Sequence, residues 1–276
     1  MHSTPAFTDS HVHLDRYSHD EVTVLLKRAH QAGVARLLTV GTDLPSSSRA
    51  LQLAQQHAGV SAAIGLHPAS LALASLERDL LQLAELAQRH RAEIIAIGES
   101  GLDTLEAAAP LEAQERAFRF QLRLARELAL PFILHQQGAE QLCQQIIRDE
   151  QKKMEALEAD GVRAPPIIVH YFVGDTESTQ RWLALGCCIS VGKPITRPEH
   201  AALRQAIAGI SLEHLLLETD TYPLPGRATE PAHIRQIAEA VAALKQVSVE
   251  TIAEQTTANY RRLFCIKPGR DRGEPA

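Results

Sequence analysis

Eight short apolar segments, separated by longer stretches with helical periodicity, constrain the fold of this chain more than any other feature. The segments are rich in apolar and β-branched residues and are bounded by Gly, Pro or polar turns, as strands are. Strands that alternate with amphipathic helices pair in parallel through right-handed crossovers, and eight such units close a barrel. We therefore predict a single (β/α)8 TIM barrel of the α/β class, with strands at residues 6–12, 34–40, 59–65, 92–98, 130–135, 165–170, 187–192 and 214–220.

Helical patterns fill the intervals between these strands. The clearest are predicted at residues 20–31, 46–57, 71–91, 111–128 and 231–245. His30 and His57 stand shortly before a glycine, where a basic or polar residue is typical of a helix C-terminus. We therefore interpret these two histidines as helix-end residues and not as ligands.

No linker rich in Pro, Gly or Ser divides the 276 residues, so we predict one barrel domain over residues 1–265 and a disordered tail over residues 266–276. The first ten residues lack the basic start and apolar stretch of a secretory signal. No apolar run approaches the roughly 20 residues needed to cross a bilayer. We expect a cytoplasmic protein with no membrane partner.

Charge and cysteine content narrow the possible functions. The formal net charge of -5 argues against a broad basic surface for duplex nucleic acid, but a metal-lined pocket would still attract a phosphate locally. The four cysteines have no C-x-x-C spacing and are interpreted as structural residues. They are Cys143, Cys187, Cys188 and Cys265.

The predicted strands carry an unusual set of side chains at their C-terminal ends, which is where barrels of this type place active residues. The first strand ends with two histidines whose spacing puts both imidazoles on one face. Single histidines follow the fifth and sixth strands, and carboxylates follow the fourth and eighth. The six candidate metal ligands are His11, His13, Glu99, His135, His170 and Asp220.

Each of these residues also has an ordinary structural interpretation. A lone histidine at a strand end is more often a hydrogen-bonded polar residue than a ligand, Glu99 alone would form a salt bridge, and Asp220 alone would cap a loop. Their joint occurrence favours a metal site, because charged groups placed directly after apolar strands are costly to desolvate unless something compensates all of them together. Imidazoles and carboxylates suit divalent zinc, manganese, magnesium or iron, and a pair of such ions bridged by Glu99 would activate water for hydrolysis near pH 7.

Seven motifs in order, followed by a short C-terminal segment, resemble the TatD family of metal-dependent hydrolases in the amidohydrolase superfamily. The resemblance runs from about residue 7 to residue 264, and its motifs are "DSHVHLD", "AIGLHP", "AIGESGLD", "QLRLARELALPFILH", "VHYFVGD", "ISVGKPI", "LLLETDTYPL" and "NYRRLF". It implies a TIM barrel that binds two divalent metals, with deoxyribonuclease activity that includes 3′-5′ exonuclease action on single strands.

The resemblance also implies roles for the residues that match its motifs. His11, His13 and Asp220 would hold one ion, His135 and His170 would hold the other, and Glu99 would bridge the two. Asp220 and Glu99 would be catalytic, with Asp220 orienting the attacking water and accepting its proton. His67 follows the third strand at the same rim, where a substrate contact and a hydrogen bond behind the ligands are equally open interpretations.

Three regions depart from the family pattern and bear on the substrate. In one, the Asp-Ala-Pro that commonly follows Glu-Thr reads Asp220-Thr221-Tyr222-Pro223. Gln136 and Gln137 stand where family members often carry Ser-Arg, so a bidentate phosphate anchor is missing. The segment after Asp103 reads "TLEAAAP" where aromatic residues are common. Tyr171 and Tyr222 are candidates for stacking on a base at the rim, although ordinary aromatic packing is the alternative.

Three functions therefore stay open from the sequence. The first is a two-metal phosphodiesterase that cleaves single-stranded DNA. The second is a hydrolase of another ester, amide or phosphoester, because the same barrel supports many reactions. The third is a metal-bound subunit that works through protein contacts without catalysis.

Overall fold

Eight parallel strands form one sheet in chain order, from β1 through to β8, in the computed structural model. The structure describes residues 6–155, 164–223 and 229–266. Every neighbouring pair from β1·β2 to β7·β8 is parallel. The predicted (β/α)8 barrel is confirmed, with strands β1 Phe7–Val12, β2 Val34–Val40, β3 Val60–Ile64, β4 Ile94–Asp103, β5 Phe132–Gln137, β6 Ile167–Val169, β7 Cys188–Val191 and β8 Leu215–Leu217.

Helices follow the strands around the outside of the barrel. They are α1 His19–Gln31, α2 Leu44–Gln56, α3 Leu76–Arg89, α4 Leu111–Glu127, α5 Glu140–Glu155, α6 Thr176–Ala184, α7 Ala201–Gly209, α8 Ile234–Lys245 and α9 Val249–Leu263. As predicted, His30 lies in the last turn of α1 and His57 caps the end of α2. The one-domain boundary at residue 265 stays a prediction, and the predicted tail beyond Ile266 lies outside the described residues.

Two predicted helix starts are wrong by several residues. Helix α3 begins at Leu76 and not at residue 71, because His67 and Pro68 first direct the chain into a separate 3-10 turn, Pro68–Ser70. Helix α8 begins at Ile234 because a 3-10 turn occupies Pro231–His233. In the second case Pro231, which starts the turn, was counted as part of the following helix.

The buried side chains divide into two apolar clusters according to which face of each strand they occupy. One cluster lies between strands and helices, and the other draws side chains from β2 to β8 and from the C-terminal end of α9. The second cluster includes Ile133 of β5 and Ile168 of β6. His135 and His170 follow two residues later, so strand alternation puts both on the same inner face as these isoleucines.

The barrel closes between β1 and β8 through side chains as well as through backbone bonds. The Asp220 N–H donates to the His11 carbonyl at 3.0 Å, and the His13 N–H donates to the Thr221 carbonyl at 2.8 Å. Below these bonds the fully buried Asp9 accepts hydrogen bonds from the Thr219 N–H at 3.0 Å, the Thr219 hydroxyl at 2.6 Å and the His11 N–H at 3.3 Å. Burial raises the pKa of Asp9 to about 8, against the effect of these three bonds.

Two further sequence predictions concern cysteines and membranes. Cys143, Cys187 and Cys188 are buried free thiols, and Cys265 is exposed. Across the described ranges, none of the helices combines the length and the apolar character that crossing a bilayer requires.

We expect Asp9→Ala to destabilise the barrel by about 2–4 kcal/mol, because it leaves the N–H groups of His11 and Thr219 buried without an acceptor. Asp9→Asn is the matched control, since its amide oxygen still accepts both bonds and a neutral side chain suits a site that raises the carboxyl pKa. Urea unfolding of the three proteins measures the difference. Equal urea midpoints for Asp9→Ala and the wild type would show that the closure between β1 and β8 does not depend on this side chain.

Candidate metal centre

All six predicted ligands meet in one cluster at the C-terminal ends of β1, β4, β5, β6 and β8. Glu99 lies at its centre, with its Oε2 2.9 Å from His170 Nε2, 3.3 Å from His11 Nε2 and 3.8 Å from His135 Nδ1. The other oxygen, Oε1, lies 3.6 Å from His13 Nε2. One carboxylate therefore faces four imidazoles.

Asp220 completes the cluster from the β8 side. Its Oδ1 lies 3.4 Å from His13 Nε2 and 3.9 Å from His11 Nε2. The side chain is 16% exposed, whereas that of Glu99 is 5% exposed, so Asp220 lies nearer the open rim. Burial tends to raise the pKa of Asp220, but the hydrogen bond from His13 and the nearby imidazoles outweigh it and lower the pKa below its usual value.

Oxygen atoms on the far side of three histidines determine which ring nitrogen faces the cluster. His13 Nδ1 lies 2.9 Å from the Val40 carbonyl oxygen, which only accepts, so Nδ1 carries a proton and Nε2 is the nitrogen that a metal would use. His170 Nδ1 lies 3.5 Å from Oε1 of Glu218, which is fully buried, and its Nε2 faces Glu99. These acceptors orient the two rings as they do around protein-bound metals.

His135 is oriented in the opposite sense. Its Nε2 lies 3.4 Å from Asp103 Oδ2, so the nitrogen that faces the cluster is Nδ1, 3.3 Å from His170 Nε2. His11 faces the cluster through Nε2, and its buried Nδ1 has no hydrogen-bond partner. Burial, together with the neighbouring His170, lowers the pKa of His11 well below its usual value, which keeps this imidazole neutral.

The arrangement fits a divalent cation on electrostatic grounds. Although burial tends to lower them, the neighbouring carboxylates raise the pKa of His13 to about 8 and the pKa of His170 well above its usual value. The cluster therefore attracts positive charge, which a divalent cation would also supply. Glu99 Oε2 is buried and has no hydrogen-bond partner, although it lies among three ring nitrogens. Nitrogen and carboxylate oxygen donors of this kind suit zinc, manganese or iron.

Three overlapping sets of side chains have donor atoms close enough to hold an ion. They are His11, His13 and Glu99; His11, His170 and Asp220; and His67, Glu99 and His135, with the donor atoms of each set within 4.8 Å of one another. Every set belongs to the same cluster. Metal ligation by the six predicted residues stays a prediction that this geometry supports.

His67 differs from the other four histidines because one of its ring nitrogens accepts a hydrogen bond from the backbone. Its Nδ1 accepts a hydrogen bond from the Ala69 N–H at 3.0 Å, which places the ring proton on Nε2. Its ring centroid lies 4.2 Å from that of His135, and burial lowers its pKa to about 4, so the ring is neutral. His67 therefore offers the site an N–H donor, whereas a ligand needs a lone pair.

The two rim tyrosines lie beside the candidate ligands. Tyr171 is 40% exposed and its ring packs against Gly192, while the Tyr222 ring lies 6.2 Å from the His13 ring in an edge-on arrangement. Tyr171 and Asp220 both have left-handed backbone conformations, with φ of 44° and 48°. Such conformations cost energy in residues other than glycine and concentrate at functional sites.

Sequence reasoning missed the two carboxylates that lie behind the histidines. Asp103 and Glu218 stand in the "GESGLD" and "ETD" motifs, which also contain the predicted ligands Glu99 and Asp220, and both are buried. A carboxylate adjacent to a ligand motif was the available signal. Their partners, His135 and His170, are distant in sequence, so the pairing needed the three-dimensional structure.

The fold and the cluster are those expected of a metal-dependent hydrolase built on a (β/α)8 barrel. Comparison with known proteins agrees. A family profile described as TatD related DNase matches residues 8–265. The chain belongs to this family, the TatD family of metal-dependent hydrolases, which confirms the resemblance seen in its motifs.

Several relatives match over nearly their whole length. The metal-dependent hydrolase YabD of Bacillus subtilis is 32% identical over 264 residues, which cover 94% of this chain and 98% of YabD. A Shigella flexneri protein named 3′-5′ ssDNA/RNA exonuclease TatD is 34% identical over 254 residues, covering 88% and 92%. The crystal structure of the TatD homologue YjjV from Escherichia coli superposes with a TM-score of 0.83 at 28% identity, covering 95% and 98%.

We expect divalent zinc or manganese at about 100 times its Kd to raise Tm by roughly 5–10 °C, because a ligand that binds only the folded state stabilises it by about 2.7 kcal/mol. Glu99→Gln should lose most of this shift, since Glu99 faces four imidazoles. His30→Asn, at an exposed helix end, is the matched control and should keep it. Thermal scans with and without metal measure the shift; one that survives Glu99→Gln in full would place the metal elsewhere.

Proposed function

We propose that this protein is a two-metal phosphodiesterase that removes nucleotides from the 3′ end of single-stranded DNA. Membership of the TatD family and the exonuclease name of the Shigella relative support this substrate. The observation that most supports hydrolytic chemistry is the convergence of four imidazoles on the carboxylate of Glu99, whose Oε2 has no hydrogen-bond partner. The phosphodiester is a substrate whose negative charge suits such a site.

The six side chains divide naturally between two ions. His11, His13 and Asp220 would hold one, His135 and His170 would hold the other, and Glu99 would bridge them, since its carboxylate faces imidazoles of both groups. When bound, two such ions supply a water nucleophile at neutral pH and stabilise the attacking and leaving oxygens of an in-line displacement. Zinc, manganese, magnesium and iron are the candidates.

Asp220 is the residue we assign to proton transfer. Both of its contacts with histidines use Oδ1, and its lowered pKa keeps the carboxylate ionised at neutral pH. Its second oxygen, Oδ2, is therefore available to orient the attacking water and to accept its proton. Its position near the open rim supports this role, whereas the more deeply buried Glu99 suits bridging.

His67 supplies the site with a neutral donor. Because its Nδ1 is occupied by the Ala69 N–H, its Nε2–H is the group that would donate to an oxygen of the substrate. Of the two interpretations that the sequence left open for His67, this hydrogen bond supports the substrate contact. Tyr171, with 40% of its surface exposed beside His170, is the aromatic ring best placed to stack on a base, and Tyr222 lies beside His13.

A second candidate function is hydrolysis of an ester or phosphoester that is not a nucleic acid. Gln136 and Gln137, at the end of β5, favour this function because neither side chain has the guanidinium that binds phosphate through two parallel hydrogen bonds. Leu105, in the segment after Asp103, is 70% exposed and gives the rim an aliphatic side chain where a base would need an aromatic one.

We expect Asp220→Asn to reduce exonuclease turnover by at least about 100-fold, because the amide neither attracts a metal as strongly nor accepts a proton. The assay follows 3′-labelled and 5′-labelled single-stranded oligonucleotides with metal-loaded protein on denaturing gels. Asp175→Asn, at the N-terminus of α6 outside the cluster, is a matched control that should keep activity.

The label position and the substrate panel separate the candidates. Loss of the 3′ label first, with sensitivity to Asp220→Asn, supports the proposal. Hydrolysis of model esters or small phosphoesters without action on oligonucleotides would favour the second function. Tight metal binding with no turnover on any substrate would rule out both.

His67→Asn should lower turnover by about 10- to 100-fold while leaving the metal content unchanged, because a lost hydrogen bond to a charged oxygen costs about 1.5–3 kcal/mol. The asparagine oxygen can still accept from the Ala69 N–H, so the 3-10 turn is retained and only the donor at Nε2 is lost. Elemental analysis and steady-state kinetics measure the two effects separately. A parallel loss of metal would instead make His67 a ligand.

A further inference from the structure

A buried carboxylate outside the predicted ligand set connects the metal cluster to the rim. Asp103, the last residue of β4, is 2% exposed. Its Oδ1 accepts hydrogen bonds from the N–H groups of Leu105 at 2.9 Å and Glu106 at 2.8 Å. Its Oδ2 lies 3.4 Å from His135 Nε2, so the two oxygens have different partners.

Helix α4 holds the backbone of Asp103 in place. Gln114 accepts from the Asp103 N–H at 2.8 Å, and its amide donates to the carbonyls of Asp103 at 3.1 Å and Ala109 at 2.8 Å. Gln121, two turns later on the same face of α4, donates to the Ser100 hydroxyl at 2.7 Å. Both glutamines are buried, so the end of β4 is fixed by side chains that have no solvent to move into.

The fixed carboxylate of Asp103 determines which nitrogen of the His135 ring carries the proton. The Oδ1 atom of Asp103 is occupied by two loop N–H groups, which leaves Oδ2 as an acceptor that faces Nε2. An ionised carboxylate cannot donate, so Nε2 must carry the ring proton and Nδ1 must be bare. The bare Nδ1 then faces Glu99 Oε2 at 3.8 Å and His170 Nε2 at 3.3 Å.

We propose that Asp103 is a positioning residue that holds His135 in the Nε2–H tautomer, with Nδ1 directed at the second metal position. The inference rests on the proposed ligation by His135. Asp103 touches neither metal nor substrate and acts through the imidazole. The same carboxylate anchors the loop that carries exposed Leu105, so rim and ligand share one support.

Asp103→Asn separates the two functions of the carboxylate. The asparagine Oδ1 still accepts from the two loop N–H groups, which holds the amide in one orientation. Its NH2 group then faces His135 Nε2 and demands a lone pair there, which moves the ring proton to Nδ1 and removes the ligand. We expect affinity for one of the two zinc or manganese ions to fall about 10- to 100-fold, as for other residues that support metal-bound histidines.

Two measurements on the full chain carry the test. Calorimetric titration with zinc or manganese gives the number and affinity of bound ions. Nitrogen-15 NMR of the metal-free protein gives the His135 tautomer, which we expect to be Nε2–H in the wild type and Nδ1–H in Asp103→Asn. Thr104→Ala, in the same loop and exposed, is the matched control and should change neither reading.

His135→Asn distinguishes failure of this inference from failure of the proposed function. If His135→Asn loses an ion but Asp103→Asn binds both as tightly as the wild type, Asp103 has no positioning role and the proposed function stands. If His135→Asn binds metal like the wild type, the ligand assignment itself is wrong. The wild-type tautomer needs no variant, so an Nδ1–H signal in the metal-free wild type would overturn the inference even if Asp103→Asn fails to fold.

Discussion

The closure of the barrel between its first and last strands is the constraint on which the site depends. The hydrogen bonds from the Asp220 N–H to the His11 carbonyl and from the His13 N–H to the Thr221 carbonyl set the alignment of β1 with the chain after β8. A slip of one residue would turn both histidines of β1 to the wrong face. Asp9 secures this alignment from below, and it does so with a buried side chain that only tight hydrogen bonding makes tolerable.

The cluster is built as much from acceptors behind the histidines as from the histidines themselves. Val40 offers a carbonyl to His13, Asp103 a carboxylate to His135, and Glu218 a carboxylate to His170. Each of these oxygens faces one ring nitrogen and so directs the other nitrogen of that ring into the cluster. His67 follows the same rule with the opposite result, because a backbone N–H takes its lone pair and leaves a donor. In the proposed function, one residue type would therefore provide both ligands and a substrate donor within a single site.

Much of this arrangement could be predicted from the sequence, for reasons that particular residues make clear. Strand alternation places His135 two residues after the inward-facing Ile133, and likewise His170 after Ile168, so their convergence follows from local pattern and barrel geometry. The inward position of the Glu99 side chain does not follow from strand alternation. Ala96 faces inward, yet the pairing of β4 with β5 shifts between Ile97 and Ser100, and this shift brings the odd-numbered Glu99 to the cluster. The sequence motif around Glu99 predicted it as a ligand, whereas its position in the strand pattern did not.

The partners that orient the rings were beyond sequence reasoning because they depend on which strands are neighbours and on the depth of each side chain. Asp103 reaches His135 across the β4·β5 pairing, where Gly101 opposes His135 and Asp103 opposes Gln137. Glu218 reaches His170 from β8 across β7. Neither contact produces a periodic pattern that could be recognised in the sequence.

In the proposed function, the strand ends of this barrel would perform the reaction and its rim would select the substrate. The strand ends hold the ionisable donors rigidly, because each is buried and fixed by the sheet. The rim holds Gln137, exposed Leu105 and half-exposed Tyr171, none of which contributes a charge. In the proposed function, ionisable groups concentrated at the floor of the site would bind the reacting phosphate more tightly than the rest of a polynucleotide. We therefore expect turnover to depend strongly on the metals and only weakly on the length or sequence of the strand.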